Sequence, residues 1–413
     1  MIKINRHILS NGLRVVHCKT EAAKMVAVNV LYCVGSRNES EQHTGMAHLF
    51  EHLMFGGSKN APDFDLSLQM AGGENNAWTS DDITNFYEVL PVVNIETAFW
   101  LEADRMMNLL LTDKSFEVQK SVVMEEFKQR CLNVPYGDVG HLWRDLVYKV
   151  HPYKWPVIGK ELSHIENVDK ETLINFYNRY YSPDNAILSV VGDIEADEVF
   201  ALAEKWFGHI RPFGGDKLVI PQEPLQTEAR TLCVEHDVPV NTLLRYYRMP
   251  DRFDPEYVPC DLISDILANG RSSRFQQNIV SKGKLVSSLD ASITGSLDSG
   301  VLIIKAALLP DANYKDVEAA IDTELDKLLN GDVKAWELGK VANKFESNSI
   351  FSNINCDECA SNMAYCEMLG DVELMNTQPA LYHAVTEERF KTTCQNILRK
   401  ENCSTLYYMS KAN

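Results

Sequence analysis

The 413-residue sequence lacks any apolar run close to the roughly 18 residues that a membrane-spanning helix requires. It also lacks the continuous apolar core of a signal peptide, because its first residues, MIKINRHILSNGLRVVH, alternate polar and apolar side chains. This alternation predicts two strands joined by a turn at Asn11-Gly12. From these two absences we expect a cytoplasmic protein that has no membrane partner.

Basic residues are scarce relative to acidic ones. The chain has 40 Lys and Arg against 58 Asp and Glu, which gives a formal net charge of −18. Because proteins bind phosphate backbones through basic surfaces, nucleic acid is not an expected partner. An acidic surface can attract cationic peptides, but a merely solvated surface accounts for the same charge.

The ten cysteines show little of the spacing typical of a disulfide framework or a zinc ribbon. One CxxC occurs, formed by Cys356 and Cys359 in NCDEC, and neither a second pair nor a thioredoxin-like context accompanies it. We therefore expect reduced thiols, with these two buried or half-buried on a helix, rather than a redox or metal site.

Strands and helices are interspersed without the regular alternation of a parallel α/β sheet, which favours an α+β fold. The length suggests more than one domain, and Pro, Gly and charged residues concentrate at 211–230. A shift of 213 residues aligns HLFEHLMFGG with DLISDILANG, so that apolar positions and the terminal glycine coincide. We predict two duplicated domains at 1–212 and 229–413, joined by a linker at 213–228, each a mainly antiparallel sheet flanked by helices.

The segment HLFEH at 48–52 carries the strongest chemical signal. His48, Glu51 and His52 stand at i, i+3 and i+4 within the otherwise apolar GMAHLFEHLMFGG. On a helix, residues i and i+4 lie on one face with i+3 beside them, so two imidazoles can reach one metal ion. Burying these ionisable side chains is costly without a compensating partner, and a metal ion supplies one.

The aligned positions in the second half differ from this pattern. They hold Asp261, Ser264 and Asp265 in place of the two histidines and the glutamate. In this interpretation the second domain keeps the scaffold and lacks the metal site.

The segment HxxEH is the inverted form of the zinc-peptidase helix. Together with LSNGLRVV, GGENNAWTSDDITNFY, VVMEEFKQR, PYGD and SPDNAILSVVGDI, it resembles the family of pitrilysin, insulin-degrading enzyme and mitochondrial processing peptidase. In length and spacing the chain is most similar to the small bacterial members with two duplicated domains. The resemblance is strong over the first half and looser over the second. It implies a zinc metalloendopeptidase with one Zn²⁺ per chain.

The resemblance also implies a glutamate on another helix as the third zinc ligand. Glu125 and Glu126 are both available, and they cannot face the same ion because neighbours on a helix diverge by about 100°. The family pattern Val-Val-x-x-Glu matches residues 122–126 and favours Glu126. Gln119 stands where many relatives carry a supporting glutamate, so the charge of that glutamate is missing here.

The resemblance assigns the catalytic roles as follows. Zinc held by His48, His52 and Glu126 keeps one position for water and lowers the pKa of that water toward about 7. Glu51 stays unligated, takes the proton as water attacks the peptide carbonyl, and then delivers it to the leaving amine.

A glycine pair precedes the segment ENNAWTS, which the resemblance places at an exposed sheet edge beside the zinc. A peptide substrate adds to such an edge as a further strand, so the peptide must be unfolded or flexible. Asn76 and Ala77 match the family's substrate-contacting Asn-Ala. The alternative interpretation is a turn that uses Asn and Gly for its own conformation.

Self-sufficient relatives carry an arginine and a tyrosine in the second half that contact the substrate and steady the oxyanion. Matched from Ser273-Arg274, these two positions hold Val280 and Ser287. A different register would let Arg271, Arg274 or Lys282 take over.

Because donors to a developing oxyanion contribute strongly to catalysis, we expect the lone chain to be slow. The resemblance therefore implies the zinc subunit of a heterodimer with a paralogue that carries the Arg/Tyr pair, or else a homodimer. The alternative function is a non-catalytic structural or assembly subunit of the same family.

Overall fold

The structure is a computed structural model that describes residues 1–21, 24–215 and 218–411. Part of the predicted linker, residues 216–217, lies outside these ranges. The strands form two sheets. They are β1 Ile4–Ile8, β2 Arg14–Lys19, β3 Met25–Tyr32, β4 Glu74–Thr79, β5 Thr84–Pro91, β6 Ala186–Gly192, β7 Arg230–His236, β8 Thr242–Arg248, β9 Val286–Ile293, β10 Val301–Leu308 and β11 Cys403–Ser410.

The α-helices connect and cover these strands. They are α1 Met46–Leu53, α2 Phe64–Met70, α3 Ile95–Asn108, α4 Asp113–Phe127, α5 Val139–Val147, α6 Leu162–Glu166, α7 Lys170–Tyr180, α8 Ala196–Phe207, α9 Tyr257–Ala268, α10 Tyr314–Leu329, α11 Ala335–Ser352, α12 Cys356–Met368, α13 Leu374–His383 and α14 Glu387–Ile397.

The first sheet has six strands in the order β1-β2-β6-β3-β5-β4. Its pairs are antiparallel except β2 with β6, which run parallel. Strand β3 alternates between two cores, since Val28 and Val30 lie in the core that contains α1 while Ala27 and Leu31 face the core that contains α12. Apolar residues on both faces explain why the segment MVAVNVLY is almost continuously hydrophobic.

The second sheet has five strands in the order β7-β11-β8-β10-β9, again with a single parallel pair, β7 with β11. This order matches that of the first sheet without β1. The strands β7, β11, β8, β10 and β9 take the places of β2, β6, β3, β5 and β4. Helix α9 follows β8 as α1 follows β3. The predicted α+β fold with two duplicated, mainly antiparallel sheets is therefore confirmed.

The chain divides into two compact units, and each unit contains three chain segments. Unit 1 comprises 1–132, 155–221 and 350–377, and unit 2 comprises 133–154, 222–349 and 378–413. These units depart from the contiguous domains predicted at 1–212 and 229–413. One of the three places where the chain passes from unit 1 to unit 2, at 221–222, lies inside the predicted linker at 213–228.

The departure has a physical cause. Each sheet is apolar on both faces, and a helix from the other half of the sequence covers one of them. Helix α12 packs its Cys359 and Met363 against the first sheet, and α5 packs its Val147 against the second. Cys356 is half-buried and Cys359 is buried on α12, as predicted, and the ten cysteines are free thiols.

Candidate metal centre

Helix α1 begins at a position that only a glycine fits well. Gly45 has φ 87°, and a Cβ there would lie 3.0 Å from the carbonyl oxygen of Ile158. The first turn of the helix is capped by Glu39, whose carboxylate accepts hydrogen bonds from the backbone N–H of Gly45 at 2.9 Å and of Ala47 at 2.8 Å. These bonds satisfy donors that a helix start leaves open. Burial raises the pKa of Glu39 to about 8 in spite of them.

The one-face arrangement predicted for α1 is present. His48 and His52 lie with their ring centroids 4.9 Å apart and their planes perpendicular. Glu126, near the end of α4, brings its Oε2 to 3.6 Å from Nε2 of His48 and 3.3 Å from Nε2 of His52. One potential ligand atom from each of the three residues lies within 4.8 Å of the other two.

Glu125 points elsewhere. Its side chain is 62% exposed and pairs with Lys128, whereas that of Glu126 is 19% exposed. The geometry thus selects between the two glutamates that the sequence left open, and it favours Glu126.

The three side chains fit a tetrahedral zinc ion. Two ligand atoms that each lie about 2.1 Å from such an ion are separated by about 3.4 Å. The observed separations of 3.6 and 3.3 Å match this value and are long for hydrogen bonds. Imidazole nitrogens and a carboxylate oxygen are donors that zinc accepts. The donor set and the two separations that involve Glu126 are therefore compatible with Zn²⁺.

The electrostatics favour the uncharged imidazole that a metal requires. Burial lowers the pKa of His48 to about 4, so this ring is neutral at physiological pH. The second oxygen of Glu126, Oε1, forms an ion pair with Nη2 of Arg130 at 2.9 Å. Nδ1 of His48 is buried and has no hydrogen-bond partner within the described residues.

Glu51 lies on the same helix face but outside the group of converging ligands. It accepts a hydrogen bond at Oε2 from the hydroxyl of Thr79, at 2.5 Å. Burial raises the pKa of the Glu51 carboxyl above its ordinary value, and the bond from Thr79 opposes this shift. A half-buried carboxylate with a raised pKa beside a candidate metal site is suited to accepting a proton.

Strand β4 lies at one edge of the first sheet, and β5 is its only partner among the described strands. An edge strand of this kind can accept an extended peptide through main-chain hydrogen bonds. Asn76 and Ala77 lie in the middle of β4, and the side chain of Asn76 accepts from the backbone N–H of Ala77 at 2.8 Å. Their role in substrate contact stays a prediction.

The remaining predicted residues lie on described elements. Gln119 is half-buried on α4, two turns before Glu126, and its supporting role stays a prediction. Val280 ends a short π-helical turn, and Ser287 lies on β9 with its hydroxyl bonded to the carbonyl of Ala307. Arg274 forms an ion pair with Glu337 at 2.8 Å, so its guanidinium is committed to an internal contact.

Three residues near the site were missed by the sequence analysis. Glu39 caps α1, Thr79 contacts Glu51, and Arg130 pairs with Glu126. The i, i+4 spacing of Glu126 and Arg130 was a readable signal for the last pair. Thr79 and Glu51 stand 28 residues apart, and Glu39 reaches the helix start across a loop, so no helix or strand periodicity indicated either contact.

A duplicated α+β scaffold that carries an HxxEH helix facing a distant glutamate is the architecture of the inverted-motif zinc peptidases. Comparison with known proteins places the chain within one family. Residues 14–133 match the model of Insulinase (Peptidase family M16), and residues 167–345 match that of the Peptidase M16 inactive domain. The chain belongs to peptidase family M16, and the family predicted from the sequence is confirmed.

Relatives and solved structures agree with this assignment. The chain is 34% identical to the zinc protease PqqE of Helicobacter pylori (strain ATCC 700392 / 26695) over 339 residues, covering 81% of this chain and 76% of that protein. The crystal structure of a protease from Helicobacter pylori superposes with TM-score 0.92 at 29% identity, covering 99% and 100% of the two chains.

A crystal structure of a peptidase M16 inactive domain from Pseudomonas fluorescens has TM-score 0.89 at 16% identity, covering 99% of this chain and 98% of that chain. At that identity the likeness shows the fold alone.

Among the described residues, no helix has both the length and the apolar character needed to cross a membrane.

Proposed function

We propose that this protein is a zinc-dependent metalloendopeptidase that hydrolyses peptide bonds in unfolded peptides. The observation that carries the proposal is the convergence of His48, His52 and Glu126 within 4.8 Å, beside an unligated Glu51 on the same helix face. A zinc-binding site alone would require only the first three residues. The fourth, a carboxylate free to move a proton, supports hydrolysis.

His48, His52 and Glu126 would hold one Zn²⁺. When bound, zinc polarises a peptide carbonyl and acidifies a water molecule. Glu51 removes the proton from the attacking water and later protonates the leaving amine, which makes it the general base and then the general acid. Arg130 holds the second oxygen of Glu126, so that the carboxylate keeps one face toward the two imidazoles.

The substrate would bind along β4. Among the described residues only β5 pairs with this strand, and Asn76 and Ala77 lie midway along it. Pairing through backbone groups accepts many sequences but requires an extended peptide. We therefore propose that flexible peptides are substrates and that intact folded domains are poor ones.

A single pair of substrates tests this function. The zinc-loaded protein is incubated with one disulfide-containing protein in two forms, native and reduced with blocked thiols, and the cleavage is followed by mass spectrometry. We expect the unfolded form to be cleaved and the native form to stay intact. Cleavage should stop when the zinc is chelated and return when zinc is restored. Cleavage that survives complete removal of metal contradicts the proposal.

We further propose that full activity requires a partner subunit that supplies the Arg/Tyr pair. Val280 and Ser287 occupy the corresponding positions, and the nearby Arg274 is engaged by Glu337. The partner is either a family paralogue or a second copy of this chain. Of these two, a paralogue would supply both the arginine and the tyrosine.

Mixing tests the partner requirement. We expect the isolated chain to turn over slowly and to gain about 100-fold or more on addition of a paralogue that carries the pair, since oxyanion donors contribute on this scale. The control is the same paralogue with its arginine and tyrosine replaced. Equal activity of the isolated chain and the mixture contradicts the pairing and leaves the peptidase function standing.

The alternative function is a structural or assembly subunit. Bound zinc without cleavage, either alone or with the paralogue, would favour it.

We also propose a cytoplasmic location, which the ten free thiols support because reducing compartments keep cysteines unpaired.

A further inference from the structure

The proposed general base has a hydrogen-bond donor from the proposed substrate strand. Thr79, the last residue of β4, donates its hydroxyl hydrogen to Oε2 of Glu51 at 2.5 Å. Both side chains are half-buried. The contact joins two elements that the proposed reaction requires in register, the helix that carries the base and the edge that receives the peptide.

The alternation of side chains along β4 places Thr79 on the side of the strand where Glu51 lies. Asn75, Ala77 and Thr79 are half-buried, whereas Glu74, Asn76 and Trp78 between them are exposed. Alternate residues of a strand face opposite sides of the sheet. Ala77 packs against the core that contains α1, so Thr79, two residues on, faces α1 as well.

The end of the β4–β5 hairpin is anchored. The backbone N–H of Ser36 donates to the carbonyl of Ser80 at 3.2 Å, and that of Arg37 donates to the carbonyl of Asp81 at 2.9 Å. The Ser36 hydroxyl adds a bond to the Asp81 carboxylate at 3.0 Å. This network sets the position of Thr79, the residue just before the turn.

The approach of the two segments is close enough to require a glycine. A Cβ on Gly35 would lie 2.4 Å from the carbonyl oxygen of Ser80 and 2.5 Å from the backbone nitrogen of Asp82, distances that real Cβ atoms do not adopt. The same segment continues to Glu39, which caps α1. Residues 35–39 therefore hold both the hairpin that carries Thr79 and the helix that carries Glu51.

We propose that Thr79 is a positioning residue for the Glu51 carboxylate. The Thr79 hydroxyl donates to Oε2 of Glu51 and restricts rotation of the Glu51 side chain. Oε1 is then left to exchange the proton with water. Because the donor sits on the substrate strand, the base is also kept in register with the bound peptide. This inference rests on the proposed peptidase function.

The test compares Thr79→Val, which keeps the shape and loses the hydroxyl, with Thr79→Ser, which keeps the hydroxyl. Thr231→Val on β7, an exposed strand threonine, is the matched control. Initial rates are measured in whichever state shows turnover, the chain alone or with the paralogue. Zinc content and thermal midpoint are measured on each variant.

We expect Thr79→Val to lower kcat by about 10- to 100-fold, the range typical of residues that orient a site through another group, with KM within about twofold. Zinc content and thermal midpoint should match the wild type, and Thr79→Ser should restore kcat to within about threefold.

Three results would overturn the inference. They are an unchanged kcat in Thr79→Val, a rise in KM alone, and a loss in both variants together with a lower thermal midpoint. The failure of the peptidase function itself looks different, because then the wild type shows no zinc-dependent cleavage in any state.

Discussion

Replacing Glu51 with Gln is expected to lower peptide cleavage by about 10³-fold or more while the protein keeps its zinc. General acid–base catalysis contributes about 10²- to 10⁴-fold, and Glu51 is proposed to serve as both base and acid. The amide has nearly the same shape and can still accept the bond from Thr79, but it cannot take a proton. Elemental analysis and initial rates on the same sample measure both effects.

Two neighbouring glutamates provide the controls. Glu126→Gln removes a charged ligand, so we expect loss of both zinc and cleavage. Glu125→Gln changes an exposed side chain that pairs with Lys128, and we expect wild-type zinc content and rates. If Glu51→Gln also lost its zinc, or if Glu125→Gln did so, the assignment of ligand and base would be wrong.

Replacing Arg105 with Ala is expected to destabilise unit 1 by about 3–5 kcal/mol, the range for breaking a buried ion pair from one side. Arg105 is fully buried on α3, with its Nε 2.9 Å from Glu102 and its Nη2 3.3 Å from Glu88. Its guanidinium also lies over the rings of Phe64 at 4.6 Å and Phe86 at 4.3 Å. Removal would leave two carboxyl groups buried without a cation.

The loss of stability in Arg105→Ala should also depend on pH. Burial already holds the pKa of Glu88 well above its ordinary value. Without Arg105 the pKa of Glu88 is raised further, so the folded variant binds more protons than the unfolded chain, and its stability falls as pH rises. We therefore expect a larger drop in thermal midpoint at pH 8 than at pH 5.

The matched control is Arg211→Ala, because Arg211 is exposed. It should leave the midpoint unchanged at both pH values. A deficit in Arg105→Ala no larger than that of Arg211→Ala, or one that grows toward low pH, would contradict the interpretation of this ion cluster.

Local periodicity was enough to predict the helix that carries His48, Glu51 and His52, and the first two strands. The edge strand β4 followed from the family resemblance. The apolar spacing around HLFEH predicted the helix observed as α1, and the alternating first residues predicted β1 and β2 with a turn between them. The third ligand was harder, because two adjacent glutamates compete. Only the packing of α4, which exposes Glu125 and turns Glu126 toward α1, separates them.

Contacts that depend on tertiary packing could not be predicted. The bond from Thr79 to Glu51 and the cap that Glu39 places on α1 depend on how a hairpin, a loop and a helix pack together. The exchange of α5 and α12 between the two halves is of the same kind. A helix pattern shows which face is apolar, but it does not show which sheet that face will cover.

The most direct measurement of the central claim is anomalous diffraction at the zinc edge from crystals of the zinc-loaded protein. The account predicts one peak per chain, with Nε2 of His48, Nε2 of His52 and a carboxylate oxygen of Glu126 each at about 2.0–2.2 Å, and with Glu51 uncoordinated. A peak bound through Glu51 or Glu125, or no peak in excess zinc, would contradict it.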